Sequence, residues 1–345
     1  MATGCISPHI TADTVYYPPP PASAHVVHIK SFNRLHELIP ARPSLLEVLR
    51  GQLISPEVAK PAGIAYARGH LYVCDTDMNL VHDWDLTTGA TQQIGIYGDV
   101  VLAKPVAVAV DDGGGLYVAD TDRSEVVAFT ADGQVRFRLK PPKRTAYRPT
   151  AVAVRGGVLY VADIASQKID EFSTADGQYL RAFGVIGSKP GQFYFPMGLA
   201  ADSDGRLYLS DMINSRVQVF DEKMKPILSM GQAGDRYGDM GKPRQVAVGP
   251  DGVIFVADPE FARVHLFNAR GQLLMLLGDE KDRIGGTPMP VGVAVAQDLP
   301  ESITALVPAD FRADYYLFIS NTLGSRRLSL FAVGHQAGPA TMGGG

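Results

Sequence analysis

Residues 196–220 read PMGLAADSDGRLYLSDMINSRVQVF, and this stretch decides the fold. An apolar strand follows Pro196, Asp204-Gly205 interrupts it, a second apolar strand ends on Asp211, and a third ends on Phe220. Gly tolerates positive φ, so Asp-Gly between two strands reads as a tight hairpin turn. The same order recurs along the chain. Pro followed by a small-and-aliphatic strand returns at Pro61, Pro105, Pro149, Pro196, Pro243 and Pro290, at intervals of 44, 44, 47, 47 and 47 residues. An acidic residue closes the second strand of the first five units, at Asp75, Asp120, Asp163, Asp211 and Asp258, and an aromatic follows nine residues later, at Trp84, Phe129, Phe172, Phe220 and Phe267. The sixth unit carries Asn321 and Phe331 in these places.

Asp132-Gly133 and Asp176-Gly177 mark a further turn, between third and fourth strands, so each unit is a four-stranded antiparallel meander. The strands are apolar on both faces, as Val106-Ala107-Val108-Ala109-Val110 shows, and a sheet with two apolar faces must stack on its neighbours. Four strands in 40 to 50 residues, repeated, indicate radially arranged blades. The expectation is an all-β, six-bladed β-propeller of four-stranded antiparallel blades, closed by an N-terminal strand that completes the last blade. The ten residues from Gly51 to Pro61 match the ten from Gly95 to Pro105, which assigns the closing role to Leu45–Leu49. This divides the chain into an N-terminal segment (1–44), a propeller (45–334) and a flexible Gly-rich tail (335–345).

The units resemble the NHL-repeat family, whose pattern is Pro, an aliphatic strand, Asp-Gly, a strand ending in Asp, then Asn-x-Arg-Val and an aromatic. Asp204-Gly205, Asp211, Asn214, Arg216-Val217 and Phe220 follow that pattern in full, and the resemblance covers about residues 45 to 334. It implies the propeller fold; for activity it implies a choice among RNA reading, protein docking, sensing and, in one branch, metal-dependent lyase chemistry.

Composition narrows that choice. The chain has 345 residues, 46% apolar and 20% charged, and a net charge of -4, which disfavours nucleic acid as a partner. No apolar run approaches the roughly 20 residues of a membrane-spanning helix. Two cysteines, Cys5 and Cys74, make no disulfide framework. There is no Gly-x-Ser-x-Gly elbow and no Cys-x-x-Cys pair, and Gly241-Lys242 runs into Pro243. The channel-lining strands contribute no Glu and only Arg244 and Gln245 as clearly polar side chains, a poor set for a hard cation. His70, His82 and His265 read as non-equivalent positions, which argues against a shared zinc site. No metal, no cofactor and no catalytic residue is expected. The repeat Asp residues are read as acceptors for backbone N–H groups in the following turn, and Cys74 as a small buried side chain.

The loops leading into each blade carry the most specific signal. Lys60, Lys104, Arg148 and Lys242 precede four of the six repeat prolines, Arg244 adds a fifth charge immediately after Pro243, and Phe193, Tyr194, Phe195 and Tyr237 add aromatic surface. This rim is expected to receive a protein or peptide partner, acidic in character, unless the cations are paired with loop acids such as Glu57, Asp99 or Asp239. The sixth unit has about 16 extra residues near 297–315, expected as an elongated hairpin or exposed loop on the opposite face.

Ala2-Thr3-Gly4-Cys5 resembles the end of a bacterial lipobox, and Tyr16-Tyr17-Pro18-Pro19-Pro20-Pro21 reads as a stiff spacer. The resemblance implies a bacterial, extracytoplasmic lipoprotein anchored through Cys5, with translation starting upstream of Met1; without such a segment the chain is expected in the cytoplasm. The overall expectation is a monomeric, non-enzymatic binding or assembly module, with a divalent-metal-dependent propeller enzyme of the lyase or lactonase class as the alternative.

Overall fold

A proline has no N–H to give to a ladder, so it is tolerated at the first position of a strand. Five innermost strands begin on the repeat proline: Pro61–Ala67, Pro105–Val110, Pro149–Arg155, Pro196–Ala201 and Pro290–Ala296. In the fifth blade the strand shrinks to Val246–Val248. The computed structural model describes residues 14–19, 22–39, 56–96, 100–279, 281 and 283–337. From each inner strand the chain runs outward as an antiparallel meander, in blade 4 through Leu207–Asp211, Arg216–Phe220 and Pro226–Met230. Six such sheets form the expected six-bladed propeller. Gly133 and Gly205 take φ of 82° and 83° in the Asp-Gly turns, as turn chemistry requires.

The second and third strands of the sheets are buried on both faces, while fourth strands such as Pro226–Met230 expose alternate side chains. Six apolar clusters fill the six gaps between neighbouring blades, and each repeat aromatic anchors one: Trp84, Phe129, Phe172, Phe220, Phe267 and Phe331. None is more than 2% exposed. Truncating such a side chain to Ala costs about 3–5 kcal/mol, so the ring depends on all six seams at once.

An N-terminal strand closes the ring, but not where residue spacing placed it. Val26–Phe32 lies against Leu328–Gln336, with Val26 opposite Val333, Val27 opposite Ala332 and Phe32 opposite Leu328. It is the fourth strand of blade 6, and Tyr16–Tyr17 adds a fifth outside it. Leu45–Leu49 lies outside the described residues, and the position assigned to it is already filled. The Gly-to-Pro count holds only where a chain passes directly from one blade to the next. A closing strand arrives from outside the repeat, and a longer link to Pro61 adds little entropic cost. Its fit comes from alternation: Val26 packs into the seam between blades 5 and 6, Val27 into the seam between blades 6 and 1.

The extra residues of blade 6 are packed rather than loose. They form a short helix, Glu301–Thr304, and lengthen the hairpin of Phe311–Asn321 with Leu328–Gln336. Ile303 is fully buried beside Phe311, and the Tyr16 hydroxyl donates to Asp310 at 2.7 Å.

His28 sits inside the clasp, 6% exposed, edge-on to Phe331 and 2.9 Å from Ser31 Oγ. Burial, aided by the Arg326 charge, lowers its pKa from 6.5 to about 4. A buried neutral His contributes stability that is present above the unfolded pKa and lost as pH falls toward the folded one. Denaturant titrations are therefore expected to show stability falling by about 3 kcal/mol between pH 6.5 and 4, with His28→Asn flattening that slope.

Candidate functional site

The loop face is built by the repeat carboxylates. Asp75, Asp120, Asp163, Asp211 and Asp258 are all 0% exposed. Asp120 accepts the N–H groups of Ala103 (2.7 Å) and Lys104 (2.9 Å); Asp75 takes Ala59 and Lys60, and Asp258 takes Gly241 and Lys242, in the same way. Asp211 takes Tyr194 N–H and the side chains of Asn214 and Arg216. Asp163 takes Arg148 N–H, and Arg144 spans it and Asp170 at 3.0 and 2.5 Å. Each carboxylate thus ties the loop before its blade to the turn after the second strand, which the turn-acceptor reading captured only in part. Burial alone would raise the Asp75 pKa; hydrogen bonds from His82 and from the Met78 and Ala59 N–H groups outweigh it and bring it from 3.8 down to about 2. In blade 6 Pro288 stands where the other loops supply an N–H, and the carboxylate is replaced by Asn321.

These clamps place the expected rim residues on one face, where the loop before each blade meets the turn of the same blade through bonds such as Thr76 N–H to Lys60 O and Met212 N–H to Phe195 O. The rim lysines are paired: Lys60 with Asp77 (3.7 Å), Lys104 with Asp122 (4.0 Å) and Lys242 with Glu260 (2.7 Å). The acids come from the adjacent turns; Glu57 pairs with Arg34 and Asp239 with Gln232 and the Arg236 N–H, while Asp99 lies outside the described residues. Arg148 is exposed. Phe193 is not rim surface: it is fully buried in the seam between blades 3 and 4, packed edge-on to Phe183 and Phe220. Phe195 is half-buried at φ 65°, Tyr194 is 41% exposed and Tyr237 73% exposed.

Residue spacing missed an apolar set on this face. Met78, Ile213 and Leu323 are exposed in the turns after the second strands, and Val101, Val185 and Ile186 in the loops before the first. Their signal was present: Ile213 and Leu323 each stand two residues past the repeat Asp or Asn, inside turns where an aliphatic side chain has nothing to pack on.

At the centre the face dips into the channel mouth. The residues after the six repeat prolines are Ala62, Val106, Thr150, Met197, Arg244 and Val291, one ring in the pseudo-sixfold arrangement. Below them Gln245 reaches across from blade 5 to blade 1, its amide accepting from Ile64 N–H at 3.1 Å and donating to Ile64 O at 2.7 Å. Inner strands approach closely at this level: a Cβ on Gly292 would lie 2.7 Å from Ala62 O and 3.0 Å from Gln245 Oε1. Gln245 therefore spans the channel between blades 5 and 1, directly after Arg244 in the chain.

His82 and His265 prove equivalent, each seven residues past its repeat Asp, which corrects the sequence reading. Each lies buried against that Asp, at 3.3 and 3.2 Å, in separate blades. Among the described residues no three His, Cys, Asp or Glu side chains are grouped to hold a metal ion. Cys74 is buried, and burial raises its thiol pKa strongly. Cys5 lies outside the described residues.

The opposite face carries a cleft of about 780 Å³ between blades 2, 3 and 4, lined by Asp111, Arg136, Arg155 and Asp202. Its charges serve as staples. Arg136 donates to Thr174 O in the next blade, Arg155 to Gly205 O in the next, and Asp202 is held by Arg206 and the Tyr208 hydroxyl.

Residues 102–129 and 193–220 match the NHL repeat. Two of the six blades thus match the NHL repeat. The two matches lead through the loop, first hairpin and repeat aromatic of blades 2 and 4, the segments that the Asp clamp organises. Solved structures with the same fold as this propeller include virginiamycin B lyase from Staphylococcus aureus (13% identity, 79% of this chain, 81% of that chain, TM-score 0.56). A luciferin-regenerating enzyme (14%, 82%, 92%, TM-score 0.55) and a chain of a nidogen/laminin complex (17%, 68%, 85%, TM-score 0.55) are similar to the same degree. At these identities the likeness is one of fold.

Asp120→Ala is expected to lower stability by about 3 kcal/mol, because the Ala103 and Lys104 N–H groups lose their acceptor. Lys104→Ala, removing an exposed pair, is expected to cost under about 0.5 kcal/mol. Urea denaturation of the two variants checks the contrast.

Proposed function

We propose that this NHL propeller is a non-enzymatic docking module that receives a polypeptide partner on its loop face. The observation that carries the reading is the exposed apolar set, Met78, Val101, Val185, Ile186, Tyr194, Ile213, Tyr237 and Leu323, displayed on one face. Apolar side chains kept in water together on one face are a mark of an interaction site. The rim lysines add little attraction, since each already has its acid. Their role is to frame the surface with polar, solvated groups, the usual rim of an interface.

The rival reading, a divalent-metal lyase or lactonase, draws on the likeness in fold to virginiamycin B lyase. The donor set speaks against it: the rim carboxylates are occupied by backbone N–H groups, and the buried His82 and His265 lie in separate blades, each against its own repeat Asp. Calorimetric titration separates the two, because a catalytic ion should bind tightly at one per chain, and no such isotherm is expected with calcium or zinc.

The lipobox resemblance at Ala2-Thr3-Gly4-Cys5 supports an extracytoplasmic, lipid-anchored location, which palmitate labelling of wild type against Cys5→Ser would test. For docking itself, affinity capture with the intact chain is expected to retain a partner that survives chelator and is lost in an Ile213→Ser, Tyr237→Ser double variant. Capture unchanged by that variant would move the interface off the loop face.

A further inference from the structure

Arg244 departs from every other cation on the loop face. Lys60, Lys104 and Lys242 reach out to acids, whereas Arg244 is half-buried at the start of the inner segment of blade 5, and its Nε is fully buried with no hydrogen-bond partner. Among the described residues no carboxylate comes within ion-pair distance of its guanidinium. Its main chain is fixed, N–H to Ala257 O and carbonyl receiving the Ser210 hydroxyl, so the residue is held in place from behind. Burial lowers its pKa, and no acid acts to restore it.

The surroundings sharpen the contrast. Its companions in the ring, Ala62, Val106, Met197 and Val291, are apolar, and the Thr150 hydroxyl is already committed to Pro196 O at 2.8 Å. The neighbouring Gln245 offers it nothing, since its amide is satisfied by Ile64. A desolvated cation without a counter-charge costs free energy that packing alone does not return. Such a group is retained where a ligand supplies the missing charge.

We infer that the channel mouth is a carboxylate pocket, in which Arg244 takes one acidic group of the docked polypeptide while the apolar ring covers its hydrocarbon stem. The inference rests on the docking reading above and names the partner's chemistry. One planar guanidinium among apolar walls suits a monovalent carboxylate held by two parallel N–H···O bonds. A phosphate dianion would want further donors, and the nearby lysines are engaged.

The test uses the full chain and three blocked tripeptide probes: leucyl-glutamyl-leucine amide, its glutamine twin, and the glutamine peptide with a free terminal carboxyl. The readout is the Nε–H NMR resonance of Arg244, assigned by its loss in Arg244→Met. The glutamate peptide is expected to shift it saturably and to bind at least about tenfold tighter than the blocked glutamine twin. The free-terminus peptide then tells a side-chain acid from a chain end. Arg244→Met is also expected to raise the melting temperature, since it removes a stranded charge, whereas a purely structural Arg would show a loss. Equal response to acid and amide, no response to any probe up to about 10 mM, or a lower melting temperature in Arg244→Met would each overturn the pocket. The Ile213→Ser, Tyr237→Ser variant should lose the partner yet keep the tripeptide response, so failure of the pocket and failure of the docking face are read separately.

Discussion

The loop face exists because a carboxylate without water must be surrounded by donors. Each repeat Asp is removed from solvent, and an ionised group there is tolerable only with charge-assisted bonds from N–H groups or cations. In blades 1, 2 and 5 the donors are the two backbone amides before the repeat proline; in blades 3 and 4 one amide is joined by Arg144 or by Asn214 and Arg216. The geometry of the loop and of the adjacent turn is therefore set by one side chain per blade. Blade 6 shows the rule by exception, for where Pro288 withdraws a donor the charge is absent as well, at Asn321.

Six clamps of similar design would give a face of near-sixfold symmetry, and the interest lies where it breaks. Blade 5 shortens its inner strand to Val246–Val248, and just ahead of it Gln245 bonds across to Ile64 of blade 1 while the Arg244 Nε is left without a partner. The exposed apolar residues lie in the loops and turns of that face, while the cleft on the other face has its arginines bonded to neighbouring blades. The two faces are thus unequal in kind: one is knit together, the other offers unsatisfied surface.

Much of this was legible in the residues. The proline period, the Asp-Gly turns and the aromatic nine residues past each Asp are local signals, and a repeat multiplies them until chance is excluded. Closure was legible as a principle and misassigned as a segment, because Val26–Phe32 pairs with residues some 300 positions away and nothing nearby encodes that partner. Phe193 and Tyr194 look alike in the chain; which one turns inward is decided in the folded loop, where Phe195 takes φ 65°. The sequence offered the lysines other acids, Glu57, Asp99 and Asp239, because Asp77, Asp122 and Glu260 lie in turns that only the folded blade brings alongside. Gln245 stood out as polar in an apolar strand, but its span to Ile64 is a fact of three-dimensional closure.

The clasp also constrains how the polypeptide is made. Val26–Phe32 leaves the ribosome some 300 residues ahead of Leu328–Gln336 and cannot close the ring until that partner strand arrives. Until then the nascent chain carries an unpaired β edge and an open seam between its first and last blades, both adhesive to other chains. A chain lacking Leu328–Gln336 would yield an arc that cannot become a ring, and quality control could recognise such a product by that persistent opening.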